Sequence, residues 1–201
     1  KNVTAIIMPF VGTSNPENTI DAQRFAKKIG IKAIKAPINS YKKALLRTPW
    51  NQSRIAKANT NARVRAVLLY NYANSNDCLV IGTGNKTEIL LGYFTKFGDG
   101  AADLFPIGDL WKKDVRQLAK FRKLPTEFLD KKPSADLWKG QTDEGELNMA
   151  YEEMDSILLA LENGKEKTAK KQFGAGKVKK IKERMRVNRH KNLPTPIIKI
   201  H

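Results

Sequence analysis

The segment CLVIGTGNKTE, residues 78–88, decides the fold class of this chain. Its first four residues form a short apolar run, which is typical of a strand buried on both faces. The next four, GTGN, are turn-forming, and the last three begin a helical pattern that continues to Tyr93. Strand, tight turn and helix in direct succession predict an α/β protein with a parallel sheet. Ligands bind beyond the carboxyl ends of such strands, so this turn is the first candidate site.

The N-terminal part of the chain predicts a β-α-β unit, which also favours a parallel sheet. Residues 3–8 are almost wholly apolar, residues 21–29 form an amphipathic pattern that Gly30 would end, and residues 31–38 are a second strand candidate. Further helices are predicted over 61–72, from an N-cap at Asp109 to about Lys123, over 143–161 and over 177–190. We predict that residues 41–58 form a loop with a short helix and that residues 131–142 form a mobile loop.

The composition fits one domain over residues 1–201, with 41% hydrophobic residues to form a core. No apolar run is long enough to cross a bilayer, and no basic-then-apolar leader begins the sequence. Cys78 is the only cysteine, so an intrachain disulfide is excluded, which suits a reducing compartment. Within its apolar run this thiol is predicted to be buried in a strand. We therefore expect a cytoplasmic protein with no membrane segment.

The net charge of +17 is concentrated near the C-terminus, where residues 163–201 contain 13 Lys and Arg against 2 Glu. Such a tail can bind nucleic acid, and it can equally serve a small polyanion such as a dinucleotide with ATP. Its cations follow two helix-like segments with few aromatic residues, which is typical of a solvated helix face. Charge alone therefore does not favour nucleic acid as the partner, and a basic nucleic-acid-binding protein is retained as an alternative.

Glu88 has two interpretations from spacing alone. With Asn85 as N-cap, Glu88 falls at the third helical position and completes a capping box. Alternatively, the free N–H groups and positive dipole end of this helix hold a phosphate. A carboxylate in that position would then require a Mg²⁺ ion between itself and the phosphate. Spacing favours the cap.

Other candidates are equally open from their surroundings. Lys96, Asp99 and Asp103 flank two glycines and form either a solvated charged loop or a grip for a ribose or pyrophosphate. Lys112 lies three residues after the predicted N-cap, at the end of the helix where the dipole does not stabilise a cation. Either an anion faces this lysine, or it is exposed to solvent. Ser134 is either a plain loop hydroxyl or a ligand contact.

Two more features lie in the second half of the chain. Trp138, in a polar loop, is a candidate to cover a ligand. His190 and Lys191 are ordinary helix-end cations, which the helix dipole favours, unless an anion binds there.

Five motifs follow one another along the chain: NARVR (61–65), VIGTGNKTE (80–88), GYFTKFGDG (92–100), FPIGDL (105–110) and KPSADLW (132–138), and GQTDE (140–144) extends the series. Their order and spacing resemble NAD synthetase from residue 6 to the C-terminus. The combination is highly specific, whereas any one motif is not. The resemblance implies a doubly wound parallel sheet of the ATP-pyrophosphatase, or adenine nucleotide alpha hydrolase-like, type, with helices on both faces, assembled as a homodimer.

The resemblance also implies a role for ten side chains. Glu88 would hold Mg²⁺, which reverses the preference from spacing. Asp99 would lie near the ammonia site and take a proton from ammonium, and Lys112 would be both an ATP ligand and a catalytic cation. The remaining implied contacts are Thr83 and Ser134 to ATP, and Arg63, Lys96, Asp103, His190 and Lys191 to deamido-NAD, the last two from across the dimer.

The implied reaction is the ATP-dependent amidation of deamido-NAD to NAD. The nicotinate carboxylate attacks the α-phosphate of ATP and gives an acyl-adenylate and pyrophosphate. Ammonia then attacks the activated carbonyl, and AMP leaves. The loop over residues 131–143 would close over the site and shield the adenylate from water.

One family motif is absent from this sequence. The S-G-G-x-D-S loop, which in the family binds pyrophosphate and supplies a second Mg²⁺ ligand, should precede residue 3. We therefore expect a sheet without the family's first strand and the helix that follows it. An inactive nucleotide-binding fragment of this family is retained as a second alternative function.

Overall fold

A computed structural model describes residues 2–136 and 140–200 of the chain. Its parallel sheet consists of β1 (Thr4–Ile7) and β2 (Lys32–Lys35), paired in register from Thr4 opposite Lys32. The connecting helix is α1 (Pro16–Ile29). Proline at its start suits a position whose N–H would have no helical partner, and Gly30 ends it in the left-handed conformation at φ 69°. The predicted β-α-β unit is confirmed.

Helices make up most of the remaining described chain. They are α2 (Asn39–Leu45), α3 (Arg54–Ser75), α4 (Lys86–Leu91), α5 (Lys112–Phe121), α6 (Thr126–Leu129), α7 (Asp143–Leu147), α8 (Tyr151–Glu162), α9 (Glu166–Phe173) and α10 (Ala175–Asn188), followed by a 3₁₀ turn at Arg189–Lys191. The described helices include none long and apolar enough to cross a membrane.

The predicted third strand, residues 78–81, is wrong as a buried strand. Ile81 forms one isolated parallel bridge with Leu104, supported by a 2.9 Å bond from the Gly82 N–H to the Leu104 carbonyl. Leu79 is 69% exposed, and the thiol of Cys78 is exposed as well. A strand is buried on both faces only inside a sheet that other elements cover, and in the described residues this run forms one isolated bridge along one edge.

Several helix boundaries also differ from the predictions, among them the start of α3 at Arg54, which lies within the predicted loop of residues 41–58. Helix α5 begins at Lys112 with Trp111 as its N-cap, so Lys112 is its first residue and Asp109 lies in the preceding turns. The Asp114 carboxylate accepts the Trp111 N–H at 3.2 Å and does the capping from inside the helix. The predicted helix over 143–161 is broken at Asn148, which adopts φ 51°, a conformation that asparagine tolerates better than most residues.

The main hydrophobic core lies in the C-terminal half, where α4, α5 and α8 to α10 pack together. Gly92, which ends α4 at φ 60°, shows how close this packing is, because a Cβ there would lie 2.3 Å from the Cβ of Asn188 on α10. The buried core side chains are Leu91, Trp111, Leu147, Met149, Tyr151, Met154, Ile157, Leu158, Ala169, Val178 and Ile181.

Polar contacts tie α3 and residues 131–136 to the N-terminal β-α-β unit. The guanidinium Nε of Arg65 on α3 donates to the Met8 carbonyl, which follows β1, at 3.0 Å. The Asp136 carboxylate accepts the Asn15 N–H at 3.2 Å at the start of α1, and Lys131 pairs with Asp21 at 2.9 Å. These contacts place the irregular residues 131–136 against α1 and confirm the prediction of a loop there.

Candidate nucleotide site

A cavity of about 420 Å³ lies between α3, the end of α4 and α10. The segment after residue 79 forms one wall and brings Gly82 and Thr83 to it. Three of its lining residues, Arg65, Arg184 and Lys191, are cationic, and Asp99 and Glu146 are anionic. A concave site with converging charges of both signs is suited to a polar ligand that carries phosphates or a carboxylate.

Gly82 serves packing as well as access to the cavity. A Cβ at this position would lie 2.4 Å from the ring of Phe105, so any side chain would displace that ring. Gly84 is less constrained, since its Cβ would meet the same ring at 3.3 Å.

Beside the cavity, Glu88 and Lys112 join the starts of α4 and α5. The capping box predicted from spacing is present: Asn85 Oδ1 accepts the Glu88 N–H at 3.0 Å, and Glu88 Oε2 accepts the Asn85 N–H at 3.2 Å. Glu88 Oε1 takes no part in the cap and lies 2.8 Å from Lys112 Nζ. Each of the two side chains is 18% exposed. One carboxylate oxygen therefore caps the helix while the other holds a cation.

A chain of hydroxyl and carboxylate groups connects this ion pair to the cavity wall. The Tyr151 hydroxyl lies 3.4 Å from Glu88 Oε1 and donates to Asp143 Oδ2 at 2.9 Å. On the other side of Asp143, the Tyr93 hydroxyl lies 3.2 Å from Oδ1 and 3.0 Å from Glu146 Oε2. Burial raises the pKa of Tyr151 and of Tyr93, so both phenols stay protonated as donors. Burial also raises the pKa of Asp143, while the Tyr151 hydrogen bond and the charge of Lys112 oppose that rise.

Asp99 lies in the cavity wall with its carboxylate fixed by the backbone. Its Oδ1 accepts the Thr95 N–H at 2.9 Å. Burial among the surrounding groups raises the pKa of Asp99, and the charge of Glu88 adds to the rise. The residue remains exposed to solvent in the open cavity, so water moderates this shift. A carboxylate with a raised pKa is a better proton acceptor than an ordinary aspartate.

Lys191 and Lys96 are held at the end of α4 by backbone carbonyls. Lys191 Nζ donates to the carbonyls of Gly92 at 2.7 Å and Phe94 at 2.9 Å, and burial lowers its pKa. Lys96 Nζ donates to the His190 carbonyl at 2.6 Å. Lys191 therefore lines the cavity of its own chain, whereas the resemblance places it across a dimer.

Of the ten predicted residues, Thr83, Asp99 and Lys191 line this cavity, and the other seven do not: Arg63, Glu88, Lys96, Asp103, Lys112, Ser134 and His190. Arg63 lines a second, apolar groove on α2 and α3, although its Nε reaches the Lys96 carbonyl at 3.3 Å. The Asp103 carboxylate accepts the Val80 N–H at 2.6 Å. Ser134 Oγ accepts the Asp136 N–H at 3.0 Å, close to α1. The predicted ligand-covering role of Trp138 falls outside the described residues.

Sequence reasoning missed several side chains of this region: Arg65, Tyr93, Asp143, Glu146, Tyr151 and Arg184. Arg65, Tyr93 and Asp143 stand inside the motifs NARVR, GYFTKFGDG and GQTDE, so closer attention to those motifs could have found them. Tyr151 and Arg184 sit in ordinary helical patterns, and their spacing carries no signal for a site.

The donor set around Glu88 fits Mg²⁺ only with help from a ligand. The part of the chain that the structure describes contains no group of three His, Cys, Asp or Glu side chains placed to hold a metal. Glu88 can offer the one oxygen that lies outside the cap, from which Lys112 would have to withdraw. Mg²⁺ is commonly held by one or two carboxylates together with substrate phosphates and water, so one oxygen is compatible with such a site.

Comparisons with known proteins show which family the chain matches. The family model for NAD synthase matches residues 1–195. The NH(3)-dependent NAD(+) synthetase of Archaeoglobus fulgidus is 39% identical over 200 residues, which cover 100% of this chain and 78% of that protein.

Two solved structures are similar to the chain over nearly its whole length. NMN synthetase from Francisella tularensis has a TM-score of 0.87 at 36% identity and covers 97% of this chain and 78% of its own. NH3-dependent NAD synthetase from Campylobacter jejuni in complex with the nitrate ion has a TM-score of 0.83 at 32% identity. The match covers 98% of this chain and 78% of that structure's chain.

The parallel β-α-β unit and the helix starts beside a charged cavity define an α/β protein with a candidate nucleotide site. The matches go further than this class. The chain belongs to the NAD synthase family, which is a family of ligases. The predicted family and the predicted α/β fold class are confirmed.

Proposed function

We propose that this chain catalyses the ATP-dependent amidation of deamido-NAD to NAD with ammonia, through an acyl-adenylate and with release of AMP and pyrophosphate. The observation that carries the proposal is the contact of Lys112 with Glu88 at 2.8 Å, at the starts of two helices beside a charged cavity. Membership of the NAD synthase family supports the reaction class.

The first step needs cationic help because negative charge builds on the phosphates as the nicotinate carboxylate attacks. Lys112, at the start of α5, is paired with Glu88. Once its ammonium group breaks this ion pair, it would neutralise charge on a phosphate. We propose that Thr83, in the cavity wall, and Ser134 contact ATP. A Mg²⁺ ion held by Glu88 would add Lewis-acid stabilisation of the phosphate oxygens.

The second step needs ammonia in place of ammonium. Asp99 lines the cavity with a pKa raised by burial and would take the proton, while the Thr95 N–H bond to Oδ1 holds the carboxylate in place. We propose that Lys191, which lines this end of the cavity, contacts deamido-NAD. The other proposed contacts to deamido-NAD come from outside the cavity lining: Lys96, Arg63, Asp103 and His190.

We also propose that residues 1–201 form one NAD synthetase domain that works as a cytoplasmic homodimer. The second groove, of about 560 Å³, supports the dimer because apolar side chains on α2 and α3 line it and several are open to solvent. Val67 is 69% exposed, Leu45 55% and Tyr41 49%, and such a patch is typical of a surface that another chain covers. Sedimentation at several concentrations and cell fractionation test these two points.

A second product is favoured by one comparison. The Francisella tularensis relative is named an NMN synthetase, so nicotinamide mononucleotide is a candidate product of this chain too. The assay therefore supplies the deamidated dinucleotide and the deamidated mononucleotide separately, each with ATP, Mg²⁺ and ammonium. Equal formation of AMP and the amide from one of them identifies the substrate.

The assay is run on the chain alone and on the chain preceded by a family segment that carries S-G-G-x-D-S. AMP and NAD from either form support the proposal, and no AMP from both forms contradicts it. Binding of deamido-NAD without turnover by the chain alone supports the nucleotide-binding alternative. Salt-dependent binding to DNA or RNA, with no AMP formed, favours the nucleic-acid alternative.

A further inference from the structure

Two fully buried polar side chains connect α4, α5 and α8 next to the candidate site. Thr87 and Asp155 are each 0% exposed. The Thr87 hydroxyl donates to Asp155 Oδ1 at 2.5 Å and accepts the N–H of Lys112 at 3.1 Å. The second carboxylate oxygen, Asp155 Oδ2, accepts the N–H of Lys113 at 2.9 Å. One hydroxyl and one carboxylate therefore hold the first two residues of α5.

These contacts replace an ordinary N-cap. The first N–H groups of a helix have no partner inside it, and the residue before the helix usually satisfies one of them with its side chain. Trp111 occupies that position and forms no side-chain cap with α5. Thr87 and Asp155 do so from two other helices, and the carboxylate also faces the positive end of the α5 dipole.

The consequence for the site follows from chain order. Thr87 immediately precedes Glu88, and the residue whose N–H it accepts is Lys112, the partner of Glu88. The hydroxyl of the residue next to Glu88 thus holds the backbone of Lys112, the other member of that ion pair. Removing the Asp155 carboxylate from water is costly even though both of its oxygens accept hydrogen bonds. Its presence in the core therefore calls for an explanation beyond packing.

We propose that Thr87 and Asp155 are positioning residues that set the Lys112 ammonium where it meets the phosphates of ATP. This inference rests on the proposed function. It differs from a purely structural role because it requires the effect of Thr87 to pass through Lys112.

The test compares two variants that remove different parts of one side chain. Thr87→Val keeps the shape and loses the hydroxyl, whereas Thr87→Ser keeps the hydroxyl and loses a methyl group. We expect Thr87→Val to raise the KM for ATP, and the dissociation constant of ATP, about tenfold, a coupling in the usual range for residues in one network. Thr87→Ser should stay within about twofold of the parent protein, even if both variants melt at a lower temperature.

A double-mutant cycle with Lys112→Ala then separates positioning from stability. If Thr87 acts through Lys112, Thr87→Val adds nothing to the ATP defect of Lys112→Ala, while its effect on the melting temperature persists. Additive ATP defects, or an unchanged KM in Thr87→Val, overturn the inference and leave the proposed function intact. Absence of both turnover and ATP binding in the parent protein overturns the two together.

Discussion

Glu88→Gln separates the two roles that one side chain performs. Glutamine has the same shape and can still accept the Asn85 N–H that Glu88 accepts at 3.2 Å, so the capping box survives. It carries no charge and cannot hold Lys112 or a Mg²⁺ ion as a carboxylate does. Glu88→Ala removes the charge and also the side-chain acceptor of the Asn85 N–H, while Asn85 still accepts the backbone N–H of residue 88, so it is the reference for loss of both side-chain roles.

The expected cost in stability is small and can be bounded. The ion pair with Lys112 is 2.8 Å long, and each side chain is 18% exposed, which places it between surface pairs and buried ones. We expect Glu88→Gln to lower the free energy of unfolding by about 1–2 kcal/mol. The alanine variant should cost about 1 kcal/mol more, for the lost hydrogen bond to the Asn85 N–H. In a chain of this size each kcal/mol lowers Tm by about 2–4 °C.

The expected cost in activity is much larger. Loss of the carboxylate at the phosphates should lower the rate of AMP release at least about 100-fold, equivalent to about 2.7 kcal/mol of activation free energy. AMP release is measured across a Mg²⁺ titration, with Tm measured in parallel. Asp109→Asn is the matched control, since it also removes one acidic charge near α5 but from a side chain that is 96% exposed. If Glu88→Gln lowers Tm and keeps turnover within twofold, Glu88 is a cap only and the proposed metal role is refuted.

Three further changes test the remaining geometry. Asp99→Asn keeps an acceptor for Thr95 and removes a carboxylate whose pKa lies above its ordinary 3.8 in the folded state. The free energy of unfolding of the parent should therefore fall as pH rises from about 4 through that raised pKa. Denaturation at several pH values should show a shallower fall in the variant. The variant should also have a higher KM for ammonium. Gly92→Ala should lower the free energy of unfolding in urea by about 2 kcal/mol or more, because its Cβ meets Asn188 and its φ is positive. Lys191→Met should weaken deamido-NAD binding in calorimetry about tenfold, the usual scale for one charge-assisted contact, and an unchanged affinity would leave that cation a purely structural role.

The sequence predicted those parts of the site that lie close together along the chain. The capping box of Asn85 and Glu88 and the β-α-β unit depend on spacing of a few residues, and both are present. The buried strand at Cys78 failed because an apolar run does not show whether a neighbouring strand will pair with it. The N-cap at Asp109 failed because α5 begins at Lys112, where Thr87 and Asp155 accept its first two N–H groups from other helices and Asp114 accepts the Trp111 N–H.

Long-range contacts account for what could not be predicted. Tyr151 reaches Glu88 across 63 residues, and Asp155 reaches Thr87 across 68. Both helical residues follow the same apolar periodicity as the core around them, so their sequence pattern indicates burial and gives no sign of a polar contact. Only the packing of α8 on α4 and α5 brings these groups together.

The measurement that tests the central claim most directly follows oxygen from substrate to product. Deamido-NAD labelled with ¹⁸O in its nicotinate carboxylate is converted with ATP, Mg²⁺ and ammonium, and the AMP is examined by mass spectrometry. If the carboxylate attacks the α-phosphate, one labelled oxygen appears in AMP and none in pyrophosphate. Unlabelled AMP, or label found in pyrophosphate or inorganic phosphate, would contradict the acyl-adenylate route.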